Sequence, residues 1–380
     1  MRLTAEQLNR APLARQLLLR REPVAAADAV RRIVALQAQE PASPYLALWA
    51  RVDGFDPADL DAALAGGAVV KATLMRITLH AVVADDYPAF HEAMVANLRA
   101  SRLNDKRFKA TGLTPADADA LVPHLLDLVA EPRTKDEIEA RLGEILGTEP
   151  HQHVWWALRT FAPLVHAPTG GPWSFGRPGA FRAAPVAPAV PPRPTPEEAR
   201  AQLVWRYLEG FGPATQADFA RFALQRRPAT AAAFAALGDR LVRHEGPDGE
   251  ELYDVPGGAL PDGDTPAPAR LLPMWDSTLL AWDDRRRIVD DGHRPLVVRR
   301  NGDVLPTLLV DGRVAGVWRT VEGGIEATAF RPLPDDAWSA LAAEARSLLA
   351  LLAERDPVPY RRFDRWWSDL PAAQVEVLPA

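Results

Sequence analysis

Two stretches in the middle of the chain repeat one pattern of helix-start and turn signals. The helix starts read Thr134-Lys-Asp-Glu-Ile138 and Thr215-Gln-Ala-Asp-Phe219, so in each a Thr is followed three residues later by a carboxylate. In each stretch this pattern predicts the first helix of a helix-turn-helix. In both copies a second apolar helical segment follows, and then strand-like runs separated by a Gly-containing turn. Two helices and a hairpin, occurring twice, predict tandem winged-helix units.

The same signals divide the whole chain into four parts. The predicted boundaries are 1–110, 111–190 and 196–260 for three winged-helix units, and 268–380 for a C-terminal subdomain. In the first unit, helices lead to the alternating run Val69–Val83, which predicts one or two strands. A Pro- and Ala-rich linker over Ala183–Thr195 separates the second unit from the third. The predicted fold class is therefore α+β, with tandem winged-helix (helix-turn-helix) units and a C-terminal β-rich subdomain.

Turn signals also organise the C-terminal part of the chain. Asn301-Gly302, Asp311-Gly312 and Gly323-Gly324 each mark a turn between apolar runs. A long helical pattern follows the last of these runs. The predicted elements are strands at Leu296–Arg300, Thr307–Val310, Val314–Thr320 and Ile325–Ala329, and a helix at Asp335–Glu354.

The composition excludes several kinds of chemistry. None of the 380 residues is a cysteine, which removes disulfides, thiol nucleophiles and thiolate-held metals or clusters. His151-Gln-His153 has the spacing of a metal-binding pair, but no third ligand stands nearby, so we predict neither a metal nor another cofactor. No apolar stretch reaches the length of a membrane span and no signal peptide begins the chain, which favours the cytoplasm.

Positive charge in this chain is carried almost entirely by arginine. The formal net charge is −6, and only four of the 44 basic residues are lysines. Arginine suits bidentate contact with phosphate. A GC-rich genome, whose codons favour arginine, is an alternative explanation of the same composition. Because the net charge is negative, any contact with nucleic acid must come from local basic patches.

One short motif stands out, just before Pro41. Apolar helical periodicity runs up to Gln37, and Gln39 follows where the proline is expected to stop the helix. In an unwinding last turn, both carboxamides can point into one cavity. Further along the chain, the strand-like run Thr73–His80 places an Arg, a Thr and a His on one face.

These residues make the chain resemble the AlkZ-like family of winged-helix DNA glycosylases, the AlkZ and YcaQ group. The family signature is Gln, an apolar residue, then Gln or Asp, and it reads Gln37-Ala38-Gln39 here. The resemblance implies a DNA glycosylase that releases N7-alkylguanine-type adducts, including bulky adducts or crosslinks, with Gln37 and Gln39 placing the hydrolytic water. It extends over nearly the whole chain, through Gly212-Pro213-Ala214-Thr215, Leu272-Pro273 with Trp275-Asp276, Leu309-Val-Asp-Gly312 and Val317-Trp318-Arg319.

A pair of glutamines is chemically matched to one kind of leaving group. An amide does not titrate near neutral pH, so it orients water through hydrogen bonds instead of acting as a general base. Such help suffices only for a base that is already activated, and N7-alkylated guanine carries a positive charge until the glycosidic bond breaks. The nearest carboxylate, Glu40, is a candidate to act as base or to stabilise the sugar cation, and its alternative interpretation is a solvated helix end. Lys71 is the only lysine nearby and shows no sign of activation, which predicts a monofunctional enzyme without a Schiff-base step.

Several polar residues are expected to contact DNA. The run before His80 has the alternative interpretation of a buried, hydrogen-bonded structural cluster. Each basic patch also has an alternative interpretation, that of a solvated surface, and this applies as well to the cluster Arg285-Arg286-Arg287. The predicted DNA-binding residues are Arg76, Thr78, His80, Arg102, Lys106, Arg107, Lys109, Arg299 and Arg300.

Two other kinds of function stay open on the residues alone. Winged helices are common in transcription factors, so a non-catalytic DNA-binding regulator is one alternative, and a protein–protein adaptor is another. A regulator usually dimerises to read a two-fold site, whereas this chain carries its units in tandem and has no heptad-like dimerisation helix. We therefore predict a monomer that acts on double-stranded DNA with an alkylated guanine, in DNA repair or in resistance to a self-made genotoxin.

Overall fold

Helices and antiparallel sheets alternate along the chain in a computed structural model that describes residues 1–149, 152–185, 194–368 and 370–379. His151 and residues 186–193 of the predicted linker lie outside these ranges. The helices are α1 (Ala5–Arg15), α2 (Ala26–Ile33), α3 (Ser43–Trp49), α4 (Pro57–Ala65), α5 (Tyr87–Leu103), α6 (Lys106–Lys109), α7 (Pro115–Leu128), α8 (Lys135–Leu146), α9 (Gln152–Phe161), α10 (Pro196–Phe211), α11 (Gln216–Ala223), α12 (Arg227–Leu237), α13 (Arg294–Val297) and α14 (Asp335–Ala353).

The strands are short, and every pairing between two strands in the described residues is antiparallel. They are β1 (Leu36–Gln37), β2 (Val69–Thr73), β3 (Leu79–Val83), β4 (Arg133–Thr134), β5 (Leu164–Ala167), β6 (Ala180–Ala183), β7 (Val242–Glu245), β8 (Glu251–Asp254), β9 (Arg270–Leu272), β10 (Thr307–Val310), β11 (Arg313–Val321), β12 (Gly324–Ala329) and β13 (Gln374–Pro379).

Threonine caps set the helix starts that the sequence predicts. Thr134 and Thr215 each accept a hydrogen bond from the backbone three residues on, and the carboxylate at that position bonds back to the Thr backbone. The same reciprocal arrangement begins α7 and α10. Each such cap satisfies two backbone donors that the first helical turn leaves unpaired. The two repeated helix starts are thereby confirmed.

Strands from two of the predicted units join in one sheet. Its order is β1-β3-β2-β5-β6-β4, so β2 from the first predicted unit pairs with β5 from the second, at Lys71 and His166. In the second predicted unit the hairpin is formed by β5 and β6, which residues 168–179 connect. A separate hairpin of β7 and β8 follows α12, as the repeat predicts. The domain boundaries themselves stay a prediction.

The C-terminal part forms a five-stranded sheet in the order β13-β12-β11-β10-β9, with α14 packed on it. The predicted strands at 307–310, 314–320 and 325–329 and the terminal helix are confirmed. The strand predicted at Leu296–Arg300 is wrong, because this stretch contains the end of helix α13. The outer strands β9 and β13 were not predicted. No helix in the described ranges is long and apolar enough to cross a membrane.

A buried ion pair joins the first predicted unit to the C-terminal part. Arg51, just after α3, donates two hydrogen bonds of 2.8 Å to the carboxylate of Asp276, and both side chains are fully buried. Nearby, the Ser277 hydroxyl donates to Ala35 O at 2.7 Å. These contacts hold the segment after β9 against the chain just before Gln37.

The chain around the glutamines differs from the predicted helix end. Helix α2 stops at Ile33, and Val34 adopts the left-handed region with φ of 76°. This reverses the chain direction, so that residues 36 and 37 pair with β3 instead of continuing the helix. Gln37 therefore lies on a strand, and the interpretation of an unwinding last turn is wrong.

The predicted strand Thr73–His80 is also interrupted. Residues 75–77 form a 3-10 turn in which Arg76 and Ile77 both have positive φ, and β3 begins only at Leu79. Consequently Arg76, Thr78 and His80 do not alternate along one face of a strand. They come together through the turn, as the contacts below describe.

Candidate active site

Gln37 lies at the edge of the six-stranded sheet, directly across from His80 on β3. Its side chain is buried, with the residue 5% exposed, whereas Gln39 is exposed to solvent. The Gln39 carboxamide oxygen accepts a long hydrogen bond of 3.5 Å from the backbone N–H of Leu79. The two glutamines thus differ in environment, one fixed within the protein and one at its surface.

Arg76 holds the Gln37 side chain in one orientation. Its Nη2 donates to Gln37 Oε1 at 2.7 Å and to His80 Nε2 at 3.2 Å, while its Nη1 donates to the carbonyl of Phe222 on α11 at 3.0 Å. A guanidinium has donors only, so the amide oxygen must face it. The Gln37 amide N–H groups therefore point away from Arg76, available to donate to another group.

His80 completes this cluster as a neutral imidazole. It is completely buried, and burial, reinforced by the positive charge of Arg76, holds the pKa of its ring well below the ordinary value. Since Nε2 accepts from Arg76, Nδ1 carries the proton and donates to the carbonyl of Thr78 at 3.1 Å. Both ring nitrogens are engaged, so His80 acts on Gln37 through Arg76.

Thr78 stabilises the turn through its side chain. Its hydroxyl donates to the carbonyl of Met75 at 3.1 Å, which closes the 3-10 turn on itself.

Burial, together with the charges of Arg285 and Arg221, lowers the pKa of Arg76, which nevertheless stays charged at neutral pH. The structure thus brings Gln37, Arg76 and His80 together, and their contact with DNA stays a prediction.

Glu40 is neither at a helix end nor solvated. It is buried, and it accepts a hydrogen bond from Arg362, in the 3-10 segment Arg361–Trp367 near the C-terminus. One oxygen of the Glu40 carboxylate is therefore already occupied by a guanidinium. The sequence offered no signal for this partner, because Arg362 is remote in the chain.

Lys71 lies on the opposite face of the sheet from Gln37. Directly paired residues of antiparallel strands point to the same side, and successive residues point to opposite sides. Lys71, Ala81 and Leu36 form one such row, whereas Gln37 pairs with His80 in the next. The Lys71 amine is therefore directed away from the glutamine side of the sheet.

The other predicted DNA-binding residues form two groups away from the Gln37 cluster. The guanidinium groups of Arg102 and Arg107 lie 4.4 and 3.9 Å from the centre of the Trp156 ring on α9. Lys106 and Lys109 are exposed on α6 beside them. In the C-terminal part, Arg299 stacks on Trp366 at 4.6 Å, and Arg300 is exposed.

Metal binding finds no obvious place in this arrangement. Within the described ranges, no group of three or more His, Asp or Glu side chains is placed to hold a metal ion. The residues around Gln37 offer an amide, a guanidinium and a neutral imidazole with both nitrogens engaged. Such a set positions polar groups of a ligand through hydrogen bonds and supplies no titrating base at neutral pH.

A family model described as DNA glycosylase AlkZ-like matches residues 30–351, a range that includes Gln37, Gln39, Arg76 and His80. The chain belongs to this family of DNA glycosylases, which confirms the resemblance and the reaction class.

Two individual comparisons agree with the family assignment. An interstrand DNA cross-link repair glycosylase of Streptomyces sahachiroi is 29% identical over 342 residues, covering 85% of this chain and 89% of that protein. The solved structure of Streptomyces sahachiroi DNA glycosylase AlkZ is similar with a TM-score of 0.80 at 24% identity, covering 93% of this chain and 98% of that one. The mixed helical and sheet fold is thus shared with AlkZ.

Proposed function

We propose that the protein hydrolyses the N-glycosidic bond of N7-alkylated guanine in double-stranded DNA, including bulky adducts or interstrand crosslinks. Membership of the glycosylase family supports the reaction class. The name of the Streptomyces sahachiroi relative, an interstrand cross-link repair glycosylase, supports the lesion type. The protein would act as a monomer in the cytoplasm, with its repeated helix pairs and hairpins serving as winged helices that hold the duplex.

The orientation of the Gln37 amide is the observation on which the mechanism rests. Because Arg76 occupies Oε1, Gln37 presents N–H donors to the substrate side. Gln39 is exposed, and apart from its long contact with Leu79 its oxygen is available to accept a hydrogen bond from water. We infer that the two glutamines have different roles: Gln37 donates to an acceptor on the nucleotide or the water, and Gln39 aligns the attacking water.

The family signature is consistent with this division. It allows Asp in place of the second glutamine, and a carboxylate accepts hydrogen bonds but does not donate them. At the first position, a carboxylate would keep the contact with Arg76 and lose the N–H donors. The chemistry at the first position therefore requires an amide, whereas the second position requires only an acceptor.

The position of Lys71 supports a monofunctional enzyme. A lyase step needs an amine that attacks the sugar carbon from which the base departs. The first predicted unit has three lysines. Lys106 and Lys109 lie on α6, and Lys71 is buried on the other face of the sheet from Gln37. The expected product is an intact strand with an abasic site.

The experiment measures base release under single-turnover conditions from a duplex with one N7-methylguanine and from an N7-crosslinked duplex, scored as abasic sites by alkaline cleavage. The wild type is compared with Gln37→Ala, Gln37→Glu, Gln39→Ala and Gln39→Glu. Loss of one positioned donor typically lowers a rate by about 10² to 10³, and we expect this for both Gln37 variants. Gln39→Glu should retain activity, whereas Gln39→Ala should lose it.

The variant Gln225→Ala serves as a matched control, because Gln225 is a partly buried glutamine bonded to α5 and outside the cluster. Thermal unfolding and affinity for undamaged duplex check that each variant folds and binds. Full activity of Gln37→Glu would contradict the donor role. Absence of release by the wild type from both substrates would contradict the proposed lesion class.

A further inference from the structure

Arg285 is a buried cation for which the described residues provide no ion pair. The residue is only 5% exposed, and the one hydrogen bond that its side chain makes within the described ranges is weak, from Nε to Trp282 O at 3.4 Å. The buried Nη1 has no acceptor in that part of the chain. Burying a charged group without a partner is costly, and protein interiors usually avoid it.

Three further arginines share this surrounding. Burial lowers the pKa of Arg285 to about 10, and the nearby positive charges of Arg294 and Arg221 add to this shift. Arg221 and Arg285 also act on Arg76, which holds Gln37. Of the acidic residues, Asp283 opposes these repulsions at Arg285, with a smaller effect than either arginine.

The neighbours of Arg285 in the sequence show how different its situation is. Arg286 is exposed and bonded to Asp284 and Asp248. Arg287 donates to the carbonyl of Pro213 at 3.0 Å and lies 3.7 Å from the Asp218 carboxylate. Two members of the triplet Arg285-Arg286-Arg287 are therefore neutralised within the protein, and Arg285 is not.

The excess of positive charge lies next to the glutamine cluster. Arg76 donates to the carbonyl of Phe222, the residue that follows Arg221 on α11. The segment that carries Arg285 is held to the same region, since Trp282 Nε1 donates to Phe211 O at 3.2 Å and Ser277 bonds to Ala35. Arg221 and Arg285 thus lie beside the Arg76–Gln37 contact, and Arg294 lies next to Arg285.

We propose that Arg221, Arg285 and Arg294 bind a backbone phosphate of the DNA strand that carries the lesion, beside Gln37. The inference rests on the proposed function, because it takes DNA as the ligand of the Gln37 site. A phosphodiester supplies the missing negative charge and the acceptors that the Arg285 guanidinium lacks. The phosphodiester also relieves the repulsion among the arginines, so the side chains of these arginines should become more ordered when DNA binds.

The first test is the dependence of DNA affinity on salt, measured with undamaged duplex and with duplex that contains a tetrahydrofuran abasic-site analogue. Each phosphate contact contributes about 0.9 to the slope of log K against log salt. Arg221→Gln, Arg285→Gln and Arg294→Gln should each weaken binding to the analogue duplex and together lower the slope by roughly 1, one phosphate. Arg286→Gln is the matched control, and it should leave both quantities near the wild-type values.

The second test identifies the phosphate. Methylphosphonate, which is uncharged, replaces in turn each of the two phosphates on either side of the analogue. At one position the replacement should weaken wild-type binding at least about fivefold and leave binding by Arg285→Gln unchanged, because the same contact has already been removed. Arg221 is exposed, so Arg221→Gln repeats the comparison without disturbing a buried site.

Either of two results would overturn the proposal. In one, Arg285→Gln and Arg221→Gln bind with the same affinity and salt slope as Arg286→Gln. In the other, methylphosphonate weakens wild type and Arg285→Gln equally at every position. Neither test requires base release, so a wild type that fails to release N7-methylguanine would contradict the proposed lesion and still leave the phosphate site decided by binding.

Discussion

Replacement of the buried Lys71 with methionine should stabilise the protein and leave base release intact. Lys71 is 4% exposed, and its ammonium lies 4.2 Å from the centre of the Phe175 ring. Its strand neighbour His166 is neutral, because burial, followed by the charge of Lys71, holds its pKa well below the ordinary value. No carboxylate in the described residues forms an ion pair with Lys71, so the ammonium keeps only the attraction of the aromatic ring.

The size of the effect follows from the pKa of this amine. Burial lowers the pKa of Lys71 from 10.5 to about 8, so between these values the unfolded chain binds more protons than the folded one. Stability therefore rises with pH across that interval, and the charge cost is full below pH 8. The shift corresponds to about 3 kcal/mol at pH 7, about 2 kcal/mol at pH 9 and less than about 0.5 kcal/mol at pH 10.5. Methionine has a similar volume and no charge, so Lys71→Met removes this cost.

Urea unfolding of wild type and Lys71→Met from pH 7 to pH 10.5 measures the difference directly. The comparison between the two proteins cancels the titration of other groups. We expect the variant to be more stable by about 3 kcal/mol at pH 7, with the advantage shrinking as the wild-type amine loses its proton. A difference that does not change with pH would refute the reasoning, and loss of base release by Lys71→Met would refute the placement of this amine away from the reaction.

Two further substitutions test the contacts around the site. Arg51→Met should lower the free energy of unfolding in urea by about 3 to 5 kcal/mol, because it leaves the Asp276 carboxylate buried and unpaired. The double variant Arg51→Met with Asp276→Leu should recover most of that stability. A double variant whose loss is the sum of the two single losses would contradict this. Arg76→Lys should lower the rate of single-turnover base release at least about tenfold while affinity for undamaged duplex stays unchanged. The reason is that one ammonium group cannot contact Gln37, His80 and the Phe222 carbonyl together. A wild-type rate of release would contradict the positioning role of Arg76.

Local signals predicted the helices well. A Thr with a carboxylate three residues on is a local pattern, and both the donors and the acceptors of the capping box lie within one turn. The Gly-containing turns of the C-terminal sheet are equally local, and the strands between them are found as expected. Where the interaction that fixes an element is short-range, the sequence was sufficient to place it.

The chain around Gln37 shows why the rest was not predictable. The apolar periodicity of α2 continues past Ile33, but Val34 turns the backbone into the left-handed region, and residues 36 and 37 pair with a strand more than forty positions away. The choice between the helix end and the strand is made by β3, a non-local partner. Likewise, whether an arginine is neutralised depends on tertiary neighbours, as Arg285 and Arg286 show within one triplet.

The contacts of Gln37 also bear on how the proposed reaction selects its substrate. The imidazole of His80 has no free nitrogen, the guanidinium of Arg76 only donates, and Glu40 is paired with Arg362. None of these groups is placed to take a proton from water beside Gln37, so in the proposed function cleavage of the bond to the base must run ahead of bond formation with the water that Gln39 aligns. Departure without acid catalysis is feasible for a purine that already carries a positive charge, because bond cleavage neutralises it. Normal guanine in the same position would keep its glycosidic bond. Selectivity for cationic lesions would then follow from the lack of a general acid or base in the site as well as from the contacts that bind the lesion.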